Sequence, residues 1–306
     1  MGEDPSEQAK ALRQVPTFAV YTDQQLLPYL KLTKKSWQCD LSLLKLHLLP
    51  SLGKKPLNAI SRADVLALQT GKLDAGLAPG TVYRIMVLLR YAMRLAGEWE
   101  VPGLTTNPCT KVPLPKVNNA RQTFLSAKQA EDLLAAVRAS SNPHLEAIVG
   151  FLLLTGARKR EALDARWEHI QWEQRRWYIP VTKTGKPRHV PLSDSAVSLL
   201  RRQEAKIGRS PWLFPNPTTG IPYKNLHTIW DKARKEAGLN DVRMHDLRHS
   251  FASFLINDGR SLYEVQQLLG HSNSTMTQRY AHLADATLLE ATNSVSAAVG
   301  AFIKQA

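Results

Sequence analysis

Side chains that could do chemistry are concentrated in residues 244–280. His245 and Arg248 form an H-x-x-R pair, His271 ends a Leu-Gly-His corner, and Tyr280 follows nine residues later. A tyrosine that attacks a phosphodiester forms a phosphotyrosyl link, which stores the energy of the broken bond until the strand is resealed. Arginine can hold the charge that develops on phosphate oxygens, and histidine can donate a hydrogen bond to it. The stretch therefore holds the side chains that covalent catalysis would need, with Tyr280 as the candidate nucleophile.

A tyrosine nucleophile needs a base. The free side chain has a pKa of about 10, so about one in a thousand is phenolate at pH 7, which corresponds to about 4 kcal/mol of missing activation. His245 can serve as the base if a rotamer brings it within hydrogen-bond reach of Tyr280. The structural alternatives are a core aromatic role for Tyr280, stacked on Met276, and a helix-capping role for His271.

A zinc pair is a further alternative, because His245 and His249 lie four residues apart. The sequence offers no H-E-x-x-H glutamate and no third ligand at a fitting spacing, however. We therefore expect no metal and no cofactor.

Further cationic side chains lie upstream. A Thr-Gly break places Arg158 at the start of a helix, with Glu161 as its i+3 partner. Two strand-like segments between residues 170 and 192 flank a turn that presents Lys183 and Lys186 at the tip of a hairpin. A hairpin lysine can protonate a departing oxygen, and Lys183 is the predicted general acid for such a step, with Lys186 as the alternative. Taken singly, these cations could also be surface charges.

Helical periodicity indicates how residues 245–280 are positioned. A first helix buries a stripe that ends near Gly259 and consists of Leu247, Phe251, Phe254 and Leu255. Ser261 and Glu264 form a capping box for a second helix, which Gly270 ends. A third helix carries Tyr280, with Met276 as its apolar anchor.

The rest of the chain divides into two predicted domains. Residues 1–16 form a loose tail, residues 17–100 a module of four helices, residues 101–120 a proline-rich linker, and residues 121–306 a catalytic domain with a C-terminal helical tail. The tail has an apolar face that a neighbouring subunit or its own domain could cover, formed by Leu288, Ala291, Val295, Ala298 and Phe302. The predicted fold class is mainly α with a small antiparallel sheet (α+β).

Composition narrows the range of partners. The chain has 306 residues, a net charge of +14 and only two cysteines, Cys39 and Cys109, which we expect to be reduced thiols. Residues 1–115 hold 14 basic and 9 acidic side chains and the remainder 26 and 17, so both halves are basic. No apolar run is long enough for a membrane span, and no signal peptide is expected. A polyanion that touches both halves is the predicted partner.

The ordered set of motifs resembles the tyrosine recombinase family of phage and mobile-element integrases. The motifs are Thr155-Gly156-x-Arg158-x-x-Glu161, Lys183 ahead of Arg188-His189-Val190-Pro191-Leu192, His245-x-Leu247-Arg248-His249, Leu269-Gly270-His271 and Tyr280. H-x-x-R alone is expected by chance about once in a chain of this size. The N-terminal module also resembles the core-binding domain of that family. The resemblance covers roughly residues 18–283.

The resemblance implies a site-specific recombinase that cleaves duplex DNA through a 3′-phosphotyrosyl intermediate, without metal or ATP. In that role Arg158, Arg248 and His271 hold the phosphate, and Glu161 orients one of them. The residues expected to contact DNA are Arg84, Arg90, Arg94, Arg160, Lys186 and Arg188. The implied partners are double-stranded DNA, three further copies in a homo-tetramer and accessory DNA-bending proteins, in a cytoplasmic, nucleoid-associated setting.

Two departures from the common family pattern qualify these expectations. Ala157 and Arg160 replace residues that are often larger apolar and small polar, respectively, and Arg160 adds a charge beside the predicted site. Residues 1–16 are too few for the additional arm-DNA-binding domain of many integrases. Two other functions remain open: a type IB topoisomerase-like nicking and closing enzyme, and a catalytically silent DNA-binding regulator on the same scaffold.

Overall fold

The computed structural model describes residues 15–102, 104, 106–117, 123–182 and 185–281. The chain divides into two compact units, Met1–Ala120 and Arg121–Ala306. Helices dominate the described residues, and one three-stranded antiparallel sheet accompanies them. The predicted fold class is therefore confirmed. None of the helices in these ranges is long and apolar enough to cross a lipid bilayer.

The described residues of the first unit contain four long helical segments. Two of them include a π-helical stretch: α1 runs through Phe18–Tyr21, Thr22–Leu26 and Leu27–Thr33, and α2 runs through Trp37–Leu43, Leu44–Leu48 and Leu49–Leu52. After a 3-10 turn at Leu57–Ala59 come α3, Arg62–Asp74, and α4, Pro79–Glu98.

Local sequence explains where the helices of this unit begin, and the core explains how they pack. Ser61 and Asp64 form a complete capping box at the start of α3, and Pro79 occupies the first turn of α4, where its missing N–H costs nothing. Helix α4 buries an apolar face, and the Tyr21 hydroxyl donates to the Ala92 carbonyl oxygen at 2.8 Å. The hydroxyl group thus ties α1 to the middle of α4.

The segment predicted to be a linker differs in part from that expectation. It has no regular secondary structure in its described residues, but Val101, Cys109 and Val112 are buried in the core of the first unit. The prolines prevent a helix from forming in this stretch. Its apolar side chains are nevertheless stabilised by burial in the core.

The second unit surrounds the sheet with helices. The α-helices and strands in its described residues are α5 (Ala127–Arg138), α6 (Leu145–Thr155), α7 (Lys159–Leu163), β1 (Ile170–Gln171), β2 (Arg176–Ile179), β3 (Arg188–Pro191), α8 (Asp194–Ile207), α9 (His227–Glu236), α10 (Asp246–Asn257), α11 (Leu262–Leu269) and α12 (Thr275–Gln278). The strands are ordered β1-β2-β3, and β2 pairs with β3 in the register Trp177↔Val190. Strands β2 and β3 form the predicted hairpin.

Helix α6 is the centre of the second unit. It is apolar nearly all round, and Phe151 packs on Trp177 of β2 with ring centroids 5.0 Å apart. Its last carbonyls lie beside α10, because Gly156 takes a left-handed conformation (φ +60°) that ends α6. A side chain at this position would overlap the ring of Phe251, with its Cβ 2.8 Å from Cε1. The Thr-Gly break thus brings residues 156–161 against α10.

Two predictions about residues 274–306 have different outcomes. Met276, predicted to be an apolar anchor, is 47% exposed, and Thr277 is the buried residue of α12. The physical reason is that Thr277 bonds to His271, which turns the neighbouring side chain outward. The predicted C-terminal tail lies outside the described residues.

Candidate active site

The buried guanidinium of Arg248 is fixed by two helix ends. Arg248 lies in the first turn of α10, and it donates from Nη1 to the Gly156 carbonyl and from Nη2 to the Leu269 carbonyl, each at 2.7 Å. These acceptors belong to the C-terminal ends of α6 and α11, where unpaired carbonyls and the helix dipole favour a cation. Burial and the charges of Arg158 and Arg188 lower the pKa of Arg248 to about 9. The side chain therefore keeps its charge at neutral pH.

A single carboxylate organises the two other arginines. Glu161 accepts from the Arg158 side chain at 2.8 Å, from the Arg158 backbone at 3.1 Å and from the Arg188 side chain at 3.0 Å. Burial opposes the ionisation of Glu161, but the charge of Arg188 and the bonds from Arg158 outweigh burial and hold its pKa below the usual value. Glu161 therefore stays ionised.

Arg188 connects the hairpin to the Leu-Gly-His corner. Its second terminal nitrogen donates to the Leu268 carbonyl at 2.9 Å, and its side chain is 13% exposed. Gly270 makes this approach feasible, because a Cβ at that position would lie 2.7 Å from Arg188 Cδ. The guanidiniums of Arg158, Arg188 and Arg248 therefore lie around the carboxylate of Glu161. Their charges sum to +2, which a bound anion can neutralise.

His271 is held next to these charges by the end of α11. Gly270 ends the helix with a left-handed turn, and the His271 backbone donates to the Gln266 carbonyl at 3.1 Å in a Schellman-type arrangement. Its Nδ1 lies 2.9 Å from the Thr277 hydroxyl. Burial and the charges of Arg248 and Arg158 lower the pKa of His271 to about 4. The ring is therefore neutral at pH 7.

Tyr280 is buried in a cluster with residues of α10 and α11, and its hydroxyl contacts a histidine. The residue is 4% exposed and belongs to a buried apolar cluster that includes Ala252 and Ile256 of α10. Its Oη lies 2.5 Å from His249 Nδ1. Burial raises the pKa of Tyr280, whereas the charges of Arg279 and Arg248 act in the opposite direction. The phenol therefore remains protonated until something accepts its proton.

His245 lies one helical turn before His249. It is exposed at the start of α10, and the two rings meet edge to face with centroids 5.2 Å apart. Desolvation of the packed side of the ring and the charge of Arg248 lower its pKa. His245 was predicted to reach Tyr280, whereas in the structure the histidine in contact with the Tyr280 hydroxyl is His249. Tyr280 belongs to a buried cluster with Ala252 and Ile256, which follow His249 on α10, and this places its ring near the later turn.

The structure describes the predicted lysine hairpin only in part. Lys183 lies outside the described residues, so its predicted role stays a prediction. Lys186 is exposed, and its carbonyl accepts from the Thr182 hydroxyl at 2.7 Å across the loop between β2 and β3. No group of three or more metal-ligating side chains is found within the described ranges.

The residues expected to contact DNA fall into two groups. Arg84 is exposed on α4 and makes no ion pair in the part of the chain that the structure describes. Lys186 is also exposed, in the loop between β2 and β3. The remaining four have protein partners: Arg90 donates to the Val112 carbonyl, Arg94 pairs with Glu98, Arg160 pairs with Asp164, and Arg188 pairs with Glu161. A DNA contact from any of these four would compete with its present partner.

Two side-chain contacts in the site were not predicted from the sequence. The shared use of Glu161 by Arg158 and Arg188 joins residues 27 positions apart, and the contact of His249 with Tyr280 joins residues 31 apart. The second had a signal, because His249 follows Arg248 directly and could be placed one turn from His245. Only packing decides which of the two faces the tyrosine.

Comparison with known proteins identifies the family. The family model described as "Phage integrase family" matches residues 123–287, which is more than half of the chain. The chain belongs to the phage integrase family. The integrase of Salmonella phage P22 is 31% identical over 230 residues, 71% of this chain and 56% of that protein. Tyrosine recombinase XerC of Herpetosiphon aurantiacus is 30% identical over 240 residues, 74% of this chain and 76% of that protein. The predicted resemblance is therefore confirmed. The match spans only a little more than half of the length of the phage P22 integrase.

Solved structures of two integrases bound to DNA have the same fold. A lambda integrase dimer bound to a COC′ core site aligns with a TM-score of 0.76 and 22% identity, over 91% of this chain and 81% of that chain. The Tn1549 transposon integrase in complex with transposon right end DNA aligns with a TM-score of 0.76 and 19% identity, over 92% of this chain and 99% of that chain. At these identities the likeness concerns the fold alone.

Proposed function

We propose that this protein is a site-specific DNA recombinase that cleaves and rejoins duplex DNA through a 3′-phosphotyrosyl intermediate on Tyr280. The observation that carries the proposal is the cationic pocket of Arg158, Arg188 and Arg248 around Glu161, which adjoins His271 and Tyr280. Membership of the phage integrase family supports the same chemistry.

The pocket receives the phosphate at which the strand is cut. Arg158 and Arg248 neutralise the non-bridging oxygens, whose charge rises as a fifth oxygen approaches phosphorus. Arg248 is already fixed by two carbonyls, so little reorganisation is needed when the phosphate binds. His271, whose Nδ1 faces Thr277, adds a hydrogen bond from Nε2 when that nitrogen carries the proton.

Tyr280 then attacks phosphorus, and the 5′ oxygen departs with a proton from Lys183. The phosphotyrosyl bond retains the energy of the phosphodiester, so a 5′ hydroxyl can displace Tyr280 without ATP. The pocket supplies its positive charge through guanidiniums, and the reaction proceeds without a metal or nucleotide cofactor.

Duplex DNA is the proposed partner, bound by both basic units, and exchange takes place in an assembly of four subunits. The lambda integrase is described as a tetramer bound to a Holliday junction, and it aligns with this chain at a TM-score of 0.74 and 22% identity, over 90% of this chain and 83% of that chain. A type IB topoisomerase-like enzyme would use the same groups on one duplex. Incubation of the protein with two duplexes that carry the recombination site distinguishes the two enzymes. Relaxation of the DNA without exchange of strands between the duplexes would reject recombination.

A nicked suicide duplex tests the covalent step. The wild-type protein should become trapped on the DNA through a 3′ link, and Tyr280→Phe should abolish trapping while it keeps DNA binding. Tyr263→Phe is the matched control, because this tyrosine is 68% exposed on α11 and should trap normally. Trapping that survives Tyr280→Phe would exclude Tyr280 as the nucleophile, and the absence of trapping by the wild type would favour a silent DNA-binding regulator.

A further inference from the structure

The pair His249 and Tyr280 has a geometry that the proposed reaction can use directly. His249 Nδ1 and Tyr280 Oη are 2.5 Å apart, and the ring centroids are 5.9 Å apart. An O–H donor and an imidazole nitrogen at this separation are bonded strongly. Tyr280 must lose this hydroxyl proton to act as a nucleophile, so the atom that touches the proton is in position to receive it.

Both partners are held by neighbouring elements. His249 follows Arg248 on α10, and the two carbonyl bonds of Arg248 fix that turn of the helix. The Tyr280 ring is buried against α10 and α11 in a cluster with Val265 and Leu269. The contact therefore belongs to the packing of these elements and does not depend on a mobile side chain.

The surroundings of His249 keep its imidazole ring neutral, and only a neutral ring can accept a proton. Burial and the neighbouring His245 and Arg279 lower the pKa of His249 to about 4, so its ring is neutral at pH 7. A neutral imidazole has one nitrogen with a free lone pair. A bound phosphodiester would bring negative charge into the pocket, which raises the basicity of His249 as Tyr280 begins to attack.

We propose that His249 Nδ1 is the base that accepts the phenol proton of Tyr280, an inference that rests on the proposed function. The bond between Tyr280 Oη and phosphorus forms, the bond between phosphorus and the 5′ oxygen breaks, the phenol proton moves to His249, and the leaving oxygen takes a proton from the acid. Strand rejoining reverses each transfer. This assignment differs from the sequence prediction, which gave the base role to His245.

Arg279 defines the competing arrangement. Its Nη1 lies 3.5 Å from His249 Nε2, at the limit of a hydrogen bond. If Arg279 donated to Nε2, the proton of the ring would sit on Nδ1, and His249 would donate to Tyr280 without accepting its proton. The Tyr280 contact is 1.0 Å shorter and fits a phenol that donates to Nδ1, with the ring proton on Nε2, whereas the Arg279 contact is too long to hold the other tautomer firmly.

His249→Asn tests the assignment, because its amide can bond near the Nδ1 position but cannot take a proton. The rate of covalent complex formation should fall about 10²–10⁴-fold, the usual contribution of a general base. His169→Asn is the matched control, because His169 packs edge-on against Tyr178 with centroids 6.0 Å apart and should leave the rate unchanged. DNA affinity and the unfolding midpoint are measured for each variant, and His249→Gln replaces His249→Asn if the latter fails to fold.

A duplex with sulfur in place of the 5′ bridging oxygen separates base from acid. Sulfur leaves without protonation, so Lys183→Ala should recover on this substrate while the His249 variant stays slow. A His249→Asn rate within threefold of wild type on the oxygen substrate, or its recovery on the sulfur substrate, would overturn the assignment. If the wild type itself forms no covalent complex, the proposed function fails instead.

Discussion

At the scale of single residues, the candidate site is a balance between one carboxylate and three guanidiniums. Glu161 is 9% exposed, and it lets Arg158 and Arg188 approach each other by partly cancelling their repulsion. Such groups contribute to stability only while every partner is present, because an unpaired buried charge is costly. Phosphate affinity and folding therefore depend on the same residue.

Glu161→Gln should lower the free energy of unfolding of the second unit by about 3 kcal/mol, because Arg158 and Arg188 lose their shared counter-charge. Urea unfolding measures the loss. Glu131→Gln is the control, because the Glu131 side chain is 74% exposed and its removal should cost less than about 0.5 kcal/mol. An equal loss in both variants would contradict a special role for Glu161.

Stability should also fall in mild acid because of His249 and His271. In the folded chain the pKa of each histidine is lowered from 6.5 to about 4. Between these pH values the two histidines are protonated in the unfolded chain and neutral in the folded chain, so protons favour unfolding. The destabilisation is absent above about pH 7, grows as the pH falls through this window, and reaches at most about 2 kcal/mol per histidine at pH 5. Thermal unfolding from pH 7 to pH 5 measures it, and the double variant His249→Gln, His271→Gln should show a flatter dependence.

At the scale of elements, two helix ends hold the reactive groups. Helix α6 ends at Gly156 and α11 at Gly270, and both ends supply a carbonyl to Arg248 from the residue at or next to the glycine. The left-handed turns that stop these helices also aim their carbonyls at α10. A change at either turn should affect both folding and catalysis.

Gly156→Ala should destabilise the second unit by more than the roughly 1 kcal/mol that a left-handed alanine costs. The added Cβ would also overlap the Phe251 ring, and strand cleavage should fall because Arg248 loses its fixed acceptor. Gly259→Ala is the control for backbone strain alone, because it has φ +81° and open space around its Cβ. Urea unfolding of both variants should separate them, and equal losses would exclude a contribution from Phe251.

At the scale of the whole molecule, charge governs the encounter with DNA. The net charge of +14 is spread over both halves of the chain, and a polyanion releases counterions when such a surface binds it. Many arginines are nevertheless bound to carboxylates or carbonyls of the protein itself, as Arg94 and Arg160 are. Net charge alone therefore overstates the number of phosphate contacts.

Arg84→Gln should reduce the slope of log binding constant against log salt concentration by about 0.9, the value for one lost phosphate contact. The reason is that Arg84 is exposed and unpaired within the described residues, so its charge is available to DNA. Fluorescence anisotropy over a series of salt concentrations measures the slope. Arg138→Gln is the comparison, because Arg138 already pairs with Glu146 and should change the slope less; an unchanged slope for Arg84→Gln would remove it from the DNA interface.

The sequence by itself determined the fold class, the helix boundaries at capping boxes and glycines, and the family. These features depend on neighbours a few residues apart, such as Ser261 with Glu264, so periodicity and spacing are enough to predict them. The same spacing correctly put Arg158 at the start of a helix and His271 at the end of one.

Only the tertiary structure decided which side chains meet. Arg248 reaches a carbonyl 92 residues away, Arg188 is bound to Glu161 instead of solvent, and His249 instead of His245 touches Tyr280. Two histidines one helical turn apart are equivalent in a periodic pattern, and the burial of Tyr280 in one cluster with Ala252 and Ile256 breaks that equivalence. Contacts of this kind depend on how distant elements pack, a property that no local pattern contains.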